Sequence, residues 1–386
     1  LFFDETNTLE TPDTLSAGRI HEMKTTISTA IISLGVLGLL IMGLGTLLAG
    51  PLLQLLGTDP DIMADSRTYL QIYFGGAVFL FLYNTLNGIY NAQGDSKTPL
   101  IFLMISSLTN IVLDLLFIGG FGWGVWSAAV ATTISQAISM VLCLVHLSSR
   151  RAAFPLRWSK FRIDREMLSR IVRNGIPSGV QYSVISLANV IVQANINTFG
   201  KISMAACGTY SKLEGFAFLP ITSFTMALTT YTSQNLGARA YDRAKKGARF
   251  GVLSAVILAE LIGLALYLLI PQLAALFSDT PEVIRLATRQ ARTIAPFYCL
   301  LAFSHAVASV CRGAGKAFVP MLVMLAIWCV LRIGYITLVM RITHELRFIY
   351  YAYPLTWAIS SVIFFLYYHF SDWVHGFEKP LRLSVE

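Results

Sequence analysis

Asp114 stands in the apolar run SSLTNIVLDLLFI, and Asn110 lies one helical turn before it on the same face. A carboxylate among residues suited to hydrocarbon is costly unless it is paired or hydrated. It is therefore either a group that takes up a proton or a cation, or a hydrogen-bonding tie between helices. A second polar array follows, in which Tyr182, Ser186, Asn189, Gln193 and Asn197 recur at helical spacing and form one stripe. Such a stripe either lines a hydrated cavity or bonds to neighbouring helices. Asn84, Asn87 and Asn91, with Tyr83 and Tyr90 nearby, offer the same two readings. Glu214, Glu260, Arg332 and His305 are further ionisable groups inside apolar segments. A Glu260–Arg332 pair is the economical explanation for two charges that would otherwise be buried alone. A solitary His on an apolar helix reads as a hydrogen-bonded packing residue, although its imidazole could titrate near neutral pH.

Enzyme chemistry finds little support. The two His-Glu pairs, at His21 and His344, lack the second histidine that a zinc site on one helix face needs. Neither paired carboxylates nor a Gly-x-Ser-x-Gly elbow occurs. Cys143, Cys207, Cys299, Cys311 and Cys329 form no C-x-x-C pair and read as small apolar fillers. The expectation is a protein that is not an enzyme and needs no metal or organic cofactor.

The elements that must carry these residues follow from composition. Only 13% of the residues are charged, 55% are hydrophobic, and the mean hydropathy is +0.64. A soluble chain carries about a quarter charged residues, so this one belongs in a bilayer. A helix needs about 20 apolar residues to cross it. Ten segments qualify, at roughly 25–49, 66–91, 98–119, 124–147, 174–198, 206–235, 248–270, 291–312, 317–341 and 349–370. Most of the 29 Lys and Arg then fall on one side, above all the runs Arg150 to Arg173 and Arg239 to Arg249. Cytoplasmic loops retain positive charge, so both termini are expected in the cytoplasm. The basic excess is thereby explained by topology, and a nucleic-acid partner is not expected.

The chain also repeats itself. At one constant offset Leu52 pairs with Leu273, Pro60 with Pro281, Gly94 with Gly315 and Pro99 with Pro320, and LLQLLGTDPDIM answers LAALFSDTPEVI. The expected architecture is an all-α integral membrane protein with ten transmembrane helices in two pseudo-symmetric lobes of four and six. Its parts are a polar segment 1–24, an incomplete first lobe 25–147, a basic linker 148–173, a second lobe 174–370 and a tail 371–386. Residues 172–237 find no counterpart in the first half, which suggests a twelve-helix parent whose first two helices are absent here.

Several phrases resemble one family, the multidrug and toxic compound extrusion (MATE) transporters. They are Gln93-Gly94-Asp95 with Thr98-Pro99, SSLTNIVLDLLFI, GWGVWSAAVATTISQ, YSKLEGFAFLP and SQNLGARAYDRAKKG, in order and at fitting spacing. The resemblance implies a monomeric exporter of small amphipathic or cationic compounds in the bacterial inner membrane, working by alternating access. It implies inward Na+ or H+ as the coupling ion. It also implies a cation site in the first lobe at Asn110, Asp114 and Thr132, whose depths agree at ~1.5 Å per residue, lacking the acidic residue that the family carries on its first helix. Tyr182, Ser186, Asn189, Gln193 and Glu214 are the candidate substrate-cavity residues, and the 24 Phe and 11 Met would suit such a cavity. Two alternatives stand beside this: a flippase for lipid-linked sugars of the same superfamily, against which the scarcity of buried cations counts, and a membrane fragment that does not transport.

Overall fold

The computed structural model describes residues 12–55, 58, 60–149, 161–343 and 345–375, and all regular structure among them is helical. The chain divides into two compact units that meet between Ile171 and Val172. The first contains α1 (Pro12–Leu55), α2 (Pro60–Gly75), α3 (Ala77–Ala92), α4 (Lys97–Asp114) and α5 (Trp126–Ser148). A π-helical turn, Leu115–Gly120, prolongs α4. The second contains most of α6 (Arg165–Asn197), then α7 (Lys201–Gly237), α8 (Tyr241–Ala275), α9 (Pro281–Ile294) and α10 (Tyr298–Gly313). It ends with α11 (Phe318–Met324), the π-helical turn Leu325–Leu331, α12 (Arg332–Ile342) and α13 (Leu346–Phe370). Residues 150–160 of the expected basic linker lie outside the described residues, as do 1–11 and 376–386, and the far end of the linker is already helical from Arg165.

Among the described residues, eight helices are long and apolar enough to cross a membrane, or nine if α2 and α3 count as one bent span. The tenth expected span is α7. Its 37 residues are ample in length, but Lys212, Glu214 and a series of Thr and Ser interrupt its apolar runs. It packs on α8, α9 and α10, which bury residues such as Thr209, Thr225 and Thr232, so the polar side chains that lower its apolarity are partly shielded by protein.

The span expected over 66–91 breaks at Gly76, where α2 and α3 meet at 42°. The glycine pair Gly75-Gly76 lies at the bend, as is usual where helices kink, and Gly76 packs closely on another helix. A Cβ on Gly76 would sit 2.7 Å from Thr133 Oγ1 of α5, so only glycine lets the chain approach this closely. At the start of α4, Asp95 Oδ1 accepts hydrogen bonds from the backbone N–H groups of Lys97 and Thr98. Partial burial disfavours the Asp95 charge, but the hydrogen bonds from Thr98 and Lys97 outweigh it and hold this carboxyl below its ordinary range.

Each unit has its own core. That of the first gathers Ile27, Ile31, Tyr83, Leu86, Tyr90, Cys143 and Leu147. The second is larger and rich in alanine where helices meet, as in Ala248, Ala255 and Ala259 of α8. Small residues take this role in membrane proteins because helices there gain nothing from expelling water and must gain from close packing. Gly263 is the α8 glycine pressed against another segment's backbone, since a Cβ there would lie 2.6 Å from the Ala295 carbonyl oxygen. We expect Gly263→Ala to lower the unfolding temperature in detergent, at a cost of about 1–3 kcal/mol. An unchanged melting curve would show that the backbone around Ala295 yields freely.

Candidate functional site

The α4–α5 pair carries the first group. Ser106 Oγ donates to the Ser135 carbonyl at 2.5 Å and fixes the register of these adjoining antiparallel helices. One turn onward along α4 is Asn110, and one turn back along α5 is Thr132, so the two stand at about the same level at ~1.5 Å per residue. Asp114 is one turn beyond, in line with Ser106 and Asn110 on the face that meets α5. All three side chains are half-buried. Asn110 Nδ2 and Asp114 Oδ1 are fully enclosed, yet neither has a hydrogen-bond partner among the described residues. Enclosed polar atoms are normally bonded, so two on successive turns mark a place built for something further. A carboxylate, an amide and a hydroxyl suit a proton or a hard cation such as Na+, which takes oxygen ligands. The regular helix ends at Asp114, where the π-helical turn begins. Such turns recur at functional sites because they offset the backbone ladder.

The second group was not visible as a group in the sequence. Tyr210 Oη donates to Glu214 Oε1 at 2.9 Å and also bonds Tyr298 Oη at 3.1 Å. Glu214 is within electrostatic reach of Arg332. Arg332 is 2% exposed. Its Nε and Nη2 donate to Thr356 Oγ1, and its guanidinium lies 4.6 Å from the Tyr353 ring centre and 5.4 Å from that of Trp328. Aromatic faces attract a cation, so the charge is held by rings and a hydroxyl. The expected Glu260–Arg332 pair is therefore replaced. Glu260 Oε2 instead accepts from the backbone N–H of Cys299 at 3.1 Å. Cys299 is in the first turn of α10, where N–H groups have no partner within the helix and a carboxylate is favoured. Tyr210 could have been found from its spacing of four residues before Glu214. Trp328 could likewise have been found four residues before Arg332, whereas Tyr353 and Thr356 gave no such signal, because both reach Arg332 from the separate helix α13. His305 packs edge-on between Phe218 and Trp328, with ring centres 5.1 and 5.2 Å away.

The α6 stripe emerges as one face. Tyr182, Ser186, Asn189, Gln193 and Asn197 are all exposed, whereas Gln181, Ala188, Val192 and Ile196 point into the core of the unit. Gln193 Nε2 bonds Asn197 Oδ1 at 2.9 Å. Asn91 Nδ2 bonds Asn87 Oδ1 in the same way on α3, and Asn84 Nδ2 donates to its own helix at the Leu80 carbonyl. Glu214 does not join the exposed stripe, since its carboxylate is turned to Tyr210. Among the described residues no cluster of three or more His, Cys, Asp and Glu is placed to hold a metal ion.

The fold is that of an integral membrane transporter. It superposes on a structure described as the outward-facing conformation of a multidrug resistance MATE family transporter, with a TM-score of 0.85 and 21% identity, over 92% of this chain and 79% of the other. A transporter of the MOP superfamily from Pyrococcus furiosus matches at 0.87, with 21% identity, over 95% of this chain and 82% of the other. The MatE family profile matches residues 12–116 and 177–337, and the chain belongs to that family of multidrug efflux transporters. Among named relatives, the probable multidrug resistance protein YoeA of Bacillus subtilis (strain 168) is 26% identical over 91% of this chain and 77% of its own length. The probable multidrug resistance protein YpnP of the same strain is 28% identical over 89% and 75%. A further relative is the FAD transporter of Shewanella oneidensis, 25% identical over 70% of this chain and 61% of its own length.

Proposed function

We propose that the chain exports amphipathic, cationic compounds in exchange for inward Na+ or H+, with Asp114 as the coupling carboxylate and Asn110 and Thr132 completing its site. The observation that carries this reading is the pair of enclosed, unpartnered atoms on successive turns of α4, Asn110 Nδ2 and Asp114 Oδ1. Turning the Asn110 amide over presents its oxygen beside the carboxylate, which makes an oxygen-lined seat for a cation. With that seat empty, an Asp114 charge is costly in an apolar surround; a bound proton or cation neutralises it. This gives the ion a differential affinity for any conformation that closes around the site, and such a difference is what couples a conformational change to binding. Alternating access supplies the second half of the cycle. The exposed α6 stripe is too polar for lipid and suits water and a cationic substrate. The basic connections support an orientation with both termini in the cytoplasm.

The reading is tested with cells that express the protein and are loaded with ethidium. Efflux should stop when an ionophore collapses the gradient of the coupling ion, and should continue when the other ion is equilibrated. Efflux indifferent to both gradients would reject ion coupling.

A further inference from the structure

A crevice of about 580 Å³ opens between the first turns of the membrane part of α6 and the turn joining α10 to α11. Its walls are mixed in a particular way. Arg173 and Lys316 lie in it with Val172, Ile176, Pro177 and Phe318. Arg173 is exposed and makes no ion pair among the described residues. Lys316 Nζ donates to the Asp372 carbonyl oxygen at 2.6 Å, which leaves two of its three N–H groups to spare. The Asp372 carboxylate near it is occupied by His375 at 2.7 Å. Arg312, just before this turn, has an enclosed Nη1 without a partner. Arg173 and Lys316 thus present donors to one crevice from its two walls, and Arg312 lies four residues before Lys316 with its Nη2 held by Ser309.

The apolar residues continue the crevice lengthwise. On α6, Val172, Ile176 and Val180 are exposed at four-residue spacing, and on α11 Phe318 and Leu322 are exposed at the same spacing. By helical spacing, Val180 follows the lining residues Val172 and Ile176 on one face of α6, and Leu322 follows Phe318 on one face of α11. A ligand that fits has a negative head and a long apolar body. We infer that this crevice seats an anionic phospholipid, its phosphate on Arg173 and Lys316 and an acyl chain between Ile176, Val180, Phe318 and Leu322. Basic pockets between membrane helices bind anionic headgroups in this manner. Given the orientation proposed above, the lipid belongs to the inner leaflet. The ligand assignment itself rests on the crevice alone.

Purified, delipidated full chain in detergent, which has no sides, tests the assignment separately from orientation and transport. Phosphatidylglycerol should remain bound in native mass spectra and raise the unfolding temperature, while phosphatidylcholine of equal chain length should do neither. Each cation near an anionic headgroup strengthens binding several-fold, so Arg173→Gln with Lys316→Gln should weaken the response at least tenfold. Arg173→Lys with Lys316→Arg should keep most of it, which covers the case of a double variant that fails to fold. Equal responses to both lipids would overturn the inference, as would an unaffected charge-neutral variant. Inorganic phosphate producing the same shift would show a phosphate site instead. An equal loss in Lys246→Gln, on the basic start of α8, would show a diffuse positive surface.

Discussion

Cells carrying Asp114→Asn are expected to accumulate ethidium to the level of cells lacking the protein. The substitution keeps the size and polarity of the side chain but removes the one carboxylate on the α4 face that also carries Asn110. Ser106 continues to bind the Ser135 carbonyl, so the helix pair retains its register, and the loss falls on ion binding alone. The effect should be complete and not graded, because a neutral amide neither releases a proton nor balances the charge of a bound cation. Equal elution volume and melting temperature of the purified variant would confirm that folding is intact. Near-normal efflux in Asp114→Asn would remove that residue from the mechanism.

The second large effect concerns stability. Glu214→Gln should destabilise the second unit by about 1–3 kcal/mol, since it weakens the hydrogen bond from Tyr210 to the carboxylate and removes a negative charge that Arg332 senses. Combining it with Arg332→Met should recover most of the loss. Methionine fills the space between Trp328 and Tyr353, and no solitary charge remains buried. Both variants and the double are compared by thermal unfolding in detergent, as a double-mutant cycle. Additive losses would mean that the two residues do not sense each other, and that Glu214 is held only by Tyr210.

Spans were legible in the sequence because a run of about 20 apolar residues has few other uses, and because turn residues punctuate such runs. The break at Gly76 was missed, although the Gly75-Gly76 pair is a signal for it; what the sequence does not show is the close approach of Thr133 on α5. The α7 helix illustrates a related limit, since its hydropathy reports the average of its residues and not the neighbours that cover the polar ones. Within the candidate site, the Asn110–Asp114 spacing was readable because helical geometry alone puts them on one face. Depth alone suggested Glu260 for Arg332, but depth says nothing of azimuth. Glu260 faces the opening of α10, where the free N–H of Cys299 is a nearer partner, and Arg332 faces two aromatic rings.

In the proposed cycle an ion bound at Asp114 drives substrate export. Its most direct measurement uses the purified chain in liposomes, with internal and external Na+ and pH set independently and both ion flux and ethidium flux recorded. Ethidium should move only with a Na+ or H+ gradient, the same ion should move in the opposite direction when ethidium is added, and Asp114→Asn should abolish both fluxes together. Sustained ethidium transport without any matching ion movement would contradict this cycle.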